Sequence, residues 1–288
     1  MQDISRAYAV QDCLLTVEAE SRSLELRAKT SAEQQEWVNS INQAVSTHCS
    51  RDFKTFTALA SEGETVTRHW KETLSPSVIA GKPQNFAICK VFKGDPEWKE
   101  VEDLFASSCP RQALVRINRI QNKELITAYR SYRDSLSKRM KQDKSSKSVR
   151  SQVVWHGCKS AGNAISISDS GFRVDSSRGG LDQYGKGCYF AADSSLAARY
   201  AGTVDKQLAV LLAESPDRLV GLKFVLLGYL TVGDWSVGRH DVSEAPVIPS
   251  STTKRRYDTM VDKDEQPQIL VSTATEQAYP GYIVCFSQ

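Results

Sequence analysis

The chain has 288 residues, 40% of them apolar and 25% charged, at a mass of 32.0 kDa. That is room for about two ordinary domains and excludes a chain that is mostly disordered or collagen-like. The net charge of +3 and a pI near 8.4 fall short of a dedicated nucleic-acid binder, whose domain pI exceeds ~9 with clustered basic residues. No run approaches the ~18 apolar residues of a membrane span. The first fifteen residues carry Asp3, Arg6 and Asp12 and lack the apolar core of a secretory signal. The seven cysteines are odd in number, contain no C-x-x-C and have only four histidines for company. No zinc-ligand spacing results, so no metal is expected, and free thiols in an intracellular compartment, cytoplasmic or nuclear, are the simplest account.

In chain order, the first segment predicts two or three strands, with Leu14–Ala19 and Leu24–Ala28 alternating in part about the polar turn Glu20–Ser23. Ser31 and Gln34 form an S-x-x-Q capping box. Trp37, Ile41, Ala44 and Val45 then follow at helical spacing. Strands closed by a helix with one inward Trp resemble the C-terminal half of a pleckstrin-homology (PH) domain, so residues 1–48 are expected to be a partial PH-like segment. In that family the missing first strands carry the basic loop for phosphoinositide headgroups, so the resemblance implies no membrane binding by this fragment. Residues 49–90 predict a connector, with breaks at Ser75-Pro76 and Gly81-Lys82-Pro83 and a short helix around Arg68–Thr73.

Pro96 opens a predicted helix to about Phe105, and Ala113, Val115 and Ile117 alternate as a strand. A long helix is predicted from Asn122, because Leu125, Tyr129, Tyr132, Leu136 and Met140 fall on one face. The run Lys138–Arg150, with Asp143 its one acidic residue, predicts a solvated basic loop. Strands are predicted at Gln152–Trp155, Cys188–Ala191, Leu219–Tyr229, Ile269–Ser272 and Tyr282–Phe286. Helical signal is confined to 196–200, with Ser194 as its cap. Many strands with few helices indicate an α+β fold on antiparallel sheets.

Three stretches carry chemistry. Val153–Gly157 is a strand ending in His156-Gly157, where a histidine can bond into a cleft and a glycine lets a ligand approach the backbone. Tyr184–Ala191 is a glycine-rich turn feeding an aromatic strand, and Gln277–Val284 lies near the C-terminus. Singly, each is more often a buried structural His or a core Tyr. A Cys158–His156 pair is disfavoured because Gly157 ends the strand between them.

Taken together, and with Ile117–Asn122 (INRIQN), Ile167–Phe172 (ISDSGF), Gly185–Ala191 (GKGCYFA) and Tyr257-Asp258, the order resembles the catalytic domain of the poly(ADP-ribose) polymerase family. The resemblance runs from Pro96 to Phe286. It implies an antiparallel split-sheet ADP-ribosyltransferase domain over residues 91–288, with NAD+ as co-substrate and protein acceptors. On that resemblance His156 bonds the 2′-hydroxyl of the nicotinamide ribose and Gly157 presents backbone groups to the carboxamide. Tyr189 and Tyr200 would cover the two faces of the nicotinamide, and Arg173–Gln183 would form the loop over the donor site.

Two departures from the family pattern bear on function. Polymer-forming members carry a glutamate eight residues before the glutamine matched by Gln277, and here that position is Ile269. An isoleucine accepts no hydrogen bond, so chain growth is not expected and the pattern His156, Tyr189, Ile269 implies mono-ADP-ribosylation, with the acceptor supplying a carboxylate. Eight residues after Tyr189 the family's carboxamide-binding serine is replaced by Ala197, which costs one hydrogen bond, about 0.5–1.5 kcal/mol of binding; the alternative is a local shift in which Ser194 or Ser195 reaches in. The expected function is transfer of one ADP-ribose to a protein Glu or Asp. The alternative is a catalytically inactive module that binds NAD+ or ADP-ribose.

Overall fold

The computed structural model describes residues 4–11, 14–19, 22–38, 65–70, 75–79, 81–143, 148–174, 183–212, 216–240 and 242–287. They belong to two compact units, residues 1–59 and 60–288. In the first, β1 (Ile4–Gln11), β2 (Leu14–Ala19) and β3 (Arg22–Arg27) form an antiparallel meander. Residues 31–38 are helical (α1). Its cap differs from the expected Ser31–Gln34 box. The Thr30 hydroxyl accepts the Glu33 N–H at 3.1 Å, and the Glu33 carboxylate accepts the Lys29 N–H at 2.7 Å. A carboxylate is a stronger acceptor than an amide, so the cap forms one residue earlier, from T-S-A-E. Trp37 is half-buried. The expected positions Ile41, Ala44 and Val45 lie outside the described residues, as does much of the segment read as a connector.

The first strands of the second unit form a minimal hairpin, β4 (Val78–Ile79) and β5 (Lys82–Pro83). Next come β6 (Ala87–Lys90), α2 (Pro96–Ala106), β7 (Leu114–Gln121), α3 (Lys123–Gln142), β8 (Arg150–His156) and α4 (Ala161–Ser170). The chain continues through β9 (Cys188–Ala191), α5 (Ser194–Ala198), β10 (Gly202–Thr203), α6 (Lys206–Leu212) and β11 (Lys223–Val232). It ends with β12 (Trp235–Val237), β13 (Thr259–Val261), β14 (Ile269–Ser272) and β15 (Ala278–Phe286). The main sheet runs β12-β13-β14-β9-β8-β11-β15-β7-β6, with β10 beside β11. All its pairings are antiparallel except β12 with β13.

The sheet is continuous where β11 lies between β8 and β15, with His156 opposite Leu226 and Cys285 opposite Phe224. Between β8 and β9 a single pair remains, Trp155 opposite Ala191. That one contact divides the sheet into two halves and leaves the strand ends around His156 parted. The central strand is buried on both faces. Leu226 and Leu230 pack with Ala161 and Ala164 of α4 and Leu208, Ala209 and Leu212 of α6. On the other side α3 buries Tyr129, Leu136 and Met140 and half-buries Leu125 and Tyr132, as the spacing predicts. Asn122 caps α3 by accepting the Glu124 and Leu125 N–H groups, and its amide donates to the Ser168 and Asp169 carbonyls at the end of α4.

Several elements depart from expectation. The strand predicted at Leu219–Tyr229 starts at Lys223 and runs to Val232, because Gly221 turns the chain with φ +88°. Helices α4 and α6 have no counterpart in the patterning. Asp193, not Ser194, caps α5, accepting the Leu196 N–H at 2.8 Å. The end of the predicted connector joins the main sheet, with β6 pairing along β7, and the helical turn near Arg68 is a short 3-10 turn at Thr65–Thr67.

Candidate active site

The parted strand ends collect the residues singled out by sequence. Ile269 on β14 is opposite Ala191 on β9, which is opposite Trp155 on β8, and His156 is the next residue along. At ~4.8 Å per strand, Ile269 and Trp155 stand ~10 Å apart across Ala191. Alternation sets Tyr189, Ala191, Ile269 and Val271 on one face.

The imidazole of His156 is fixed on three sides. Its Nδ1 lies 2.9 Å from the Tyr189 carbonyl oxygen. A carbonyl only accepts, so Nδ1 carries the proton and, in the neutral ring, Nε2 is the acceptor. The ring lies 5.3 Å from Phe172, edge-on, and 5.8 Å from Phe190. Phe172 reaches this place because Gly171, with φ +81°, ends α4 and reverses the chain. The ISDSGF stretch is thus the support of the histidine.

Gly157 is a point of close approach. A Cβ there would stand 2.5 Å from both the Ala197 carbonyl oxygen and the Tyr200 Cβ. The absent side chain lets the segment Ala197–Tyr200 rest directly on the end of β8, and the Gly202 N–H donates to the Cys158 carbonyl at 2.7 Å to hold it there. Tyr200, whose Cβ lies at the strand end, is 56% exposed. The Cys158 thiol donates to the Ser160 carbonyl at 3.3 Å and is buried.

Tyr189 is tied to the glycine turn before it. Its hydroxyl donates to the Gly185 carbonyl at 2.7 Å and accepts the Tyr184 N–H at 3.1 Å. Gly185 takes φ +97°, and Gly187 lies against the Ser272 carbonyl with no room for a Cβ. The ring therefore closes its own loop, which fixes its orientation. Tyr189, Tyr184, Val242, Tyr257 and Ile269 all pack, half-buried, on a small cluster of Ala245, Met260 and Val271. The Ile269 N–H donates to Asp262 at 3.0 Å, and its side chain offers that apolar surface and no acceptor.

Neither serine near Ala197 replaces the missing hydroxyl. Ser194 is buried, with its hydroxyl donating to the Phe105 carbonyl at 2.8 Å and lying 2.7 Å from that of Ser108. Ser195 donates to Asp193 at 2.8 Å. Both belong to the capping and docking of α5. The expected loop Arg173–Gln183 falls for the most part, 175–182, outside the described residues, as do residues 144–147 of the basic run.

Other motif residues hold the scaffold. The Gln277 amide donates to the Thr231 and Asp258 carbonyls, and its oxygen accepts the Thr273 N–H at 3.0 Å. The Tyr279 hydroxyl donates to the Ile120 carbonyl at 2.9 Å, and burial pushes its pKa up. Arg119 of INRIQN makes a buried ion pair in which its Nη1 donates to both Glu97 carboxylate oxygens, at 2.5 and 2.6 Å. Asp258 of the YD step is buried with Arg255 and Asp234; burial pushes its pKa up despite the Arg255 charge. Sequence reasoning placed Phe172 and Phe190 in motifs without a role and missed Asp193, although D-x-x-L before a short helix was available as a cap signal.

The family model for the poly(ADP-ribose) polymerase catalytic domain matches residues 96–288. The chain belongs to this family. Domains of the family use NAD+ as substrate. The chain is 25% identical over 251 residues to human protein mono-ADP-ribosyltransferase PARP14, covering 83% of this chain and 12% of that protein. It is 26% identical over 224 residues to mouse protein mono-ADP-ribosyltransferase PARP11, covering 76% and 63%. To mouse protein mono-ADP-ribosyltransferase PARP10 it is 30% identical over 175 residues, covering 60% and 16%. This PARP-family chain thus spans less than two thirds of the length of each of these curated relatives. Among the described residues no helix is long and apolar enough to cross a membrane.

Proposed function

We propose that this chain is a mono-ADP-ribosyltransferase that moves ADP-ribose from NAD+ to a carboxylate of a protein acceptor. The observation that carries the reading is the row Ile269–Ala191–Trp155 with His156 at its end, set in a chain whose relatives are named for this activity. His156, its ring fixed by Tyr189, Phe172 and Phe190, directs Nε2 at the ribose 2′-hydroxyl. Gly157 offers backbone groups to the carboxamide, and Tyr189 and Tyr200 bracket the nicotinamide. The bond from the nicotinamide nitrogen to ribose C1′ breaks, and nicotinamide leaves with the electron pair. An acceptor carboxylate oxygen bonds C1′, and the charges cancel without an added proton. Held orientation and electrostatics supply most of the rate. Ile269 cannot polarise a ribose hydroxyl, so a bound ADP-ribose is not primed for extension.

A second reading, an NAD+- or ADP-ribose-binding module without turnover, draws support from Ala197 and from the engagement of Ser194 and Ser195 elsewhere. For the N-terminal segment we retain the partial PH-like reading of residues 1–48, supported by the meander, α1 and Trp37, with a connector from 49 that ends before β6, the strand that extends the 91–288 transferase domain to Ala87. Nicotinamide release from NAD+, followed by chromatography, tests the main reading. Release by the native chain and its loss in His156→Ala are expected; NAD+ binding without release would leave the second reading.

A further inference from the structure

A cavity of about 520 Å³ opens beside the second half of α3, walled by Tyr132, Arg139 and Gln142 of that helix, Arg256 and Tyr257 ahead of β13, and Thr273 after β14. None of these residues takes part in the donor site. The register nonetheless ties the cavity to Ile269. Met260 lies opposite Val271 and Thr259 opposite Ser272, so alternation carries the face of Ile269 and Val271 on to Thr273 and Asp258. Tyr257 packs on the same Ala245, Met260 and Val271 cluster as Tyr189 and Ile269. Thr273 is four residues from Ile269, ~13 Å of extended chain.

The charges on the wall are unequal. Arg255 is bound within the fold by Asp234 and Asp258, with Asp143 at 3.5 Å, and Asp258 is buried against it. Arg256 shares its guanidinium between the exposed Glu244 at 2.7 Å and the Ala245 carbonyl. Arg139 is exposed, lies 6.0 Å over the Tyr132 ring, hydrogen-bonds the Tyr132 side chain and feels the Asp258 charge, with no salt bridge within 4 Å among the described residues. The cavity thus offers two exposed guanidinium groups on a wall that also carries Tyr132 and Tyr257, Arg139 held by the Tyr132 hydroxyl and Arg256 by the exposed Glu244.

We infer that this cavity docks an acidic side chain of the protein acceptor, about four residues from the side chain that is modified. Arg139 and Arg256 are its ion partners. The inference rests on the transferase reading, in which an acceptor carboxylate delivered at Ile269 lays its neighbouring chain along this face. Arg139 is on the solvent side of α3, so its replacement leaves the fold intact, and a melting curve verifies that.

The test uses two labelled peptides with one central Glu, flanked four residues away on both sides by Glu in one and by Ala in the other. Anisotropy measures their binding to the full chain, to Arg139→Gln and to Arg139→Glu, and nicotinamide release is followed in parallel. A charge-assisted contact predicts about tenfold weaker binding of the acidic peptide to Arg139→Gln, and a larger loss with Arg139→Glu. The Ala peptide and NAD+ hydrolysis should not respond. Equal effects on both peptides, or none, would overturn the inference. So would displacement of the acidic peptide by a single-stranded RNA with the same Arg139 dependence, which would assign the cavity to phosphates. Arg139-dependent binding in a chain that cleaves no NAD+ would support the docking site while removing the transferase reading.

Discussion

Gly157→Ala tests whether the close contact between β8 and the Ala197–Tyr200 segment shapes the nicotinamide site. The new Cβ would stand 2.5 Å from the Ala197 carbonyl oxygen and 2.5 Å from the Tyr200 Cβ, where ordinary contacts run 3.4–4 Å. Both obstacles are at or next to the backbone, so the segment itself must retreat by roughly 1 Å, a shift of the kind that overpacking produces at a cost of about 1–3 kcal/mol. Because Gly157 and Tyr200 both border the proposed nicotinamide position, about 1.4 kcal/mol of that cost appearing in binding weakens NAD+ about tenfold. Calorimetry of NAD+ binding and a thermal melt read the two effects. Gly162→Ala is the control, since a Cβ there meets nothing within 4 Å and Ala is preferred to Gly within a helix by about 0.5–1 kcal/mol. It should raise the melting temperature and leave NAD+ binding unchanged. If Gly157→Ala binds NAD+ and melts like the native chain, the approach of Tyr200 to the strand end does not form the site.

Ala197→Ser should tighten NAD+ binding by up to about tenfold, the ~0.5–1.5 kcal/mol of one added hydrogen bond; calorimetry showing no gain would place the carboxamide elsewhere. Arg119→Ala strands the Glu97 carboxylate in the interior and should destabilise by about 3–5 kcal/mol in denaturant titration, while Arg119→Met with Glu97→Leu recovers most of the loss. Similar losses in both variants would show that the pair is not the source. Burial opposes the charge of Asp143, but hydrogen bonds from Ser251, Thr253 and Thr252 and the Arg255 guanidinium hold its pKa below the ordinary 3.8. A depressed carboxyl lends stability above its unfolded pKa and loses it as pH falls through the lower folded value. Asp143→Asn should therefore melt earlier than the native chain near neutral pH, and the gap should close as pH falls below the ordinary 3.8; a gap that stays constant as pH falls would contradict the assignment.

The legible parts of the fold are those with a strong local period or a distinctive turn. The one-face spacing from Leu125 to Met140 gives α3, and the short apolar run Ile269–Ser272 gives β14 residue for residue. Helix α4 was hidden because AGNAISISDS mixes Gly, Ser and β-branched residues, all poor helix formers. It forms because Ser160 caps it, Gly171 ends it, and Ala161, Ala164 and Ser168 bury one small-residue face. The start of β11 was misplaced because Leu219 and Val220 look like strand, whereas positive φ at Gly221 is a backbone property the apolar pattern does not register. In the site, His156, Gly157, Tyr189 and Tyr200 were legible through motif order. The supports of the histidine were not, since Phe172 reaches it only through the packing of α4, and the link between α3 and the face of Ile269 exists only once the sheet is assembled.

The most direct measurement of the central claim is intact mass spectrometry of the chain and an acidic protein acceptor after incubation with NAD+, alongside His156→Ala. The account predicts discrete additions of single ADP-ribose units that disappear in His156→Ala. A ladder of lengthening ADP-ribose chains on one site, or no addition at all by the native protein, would contradict it.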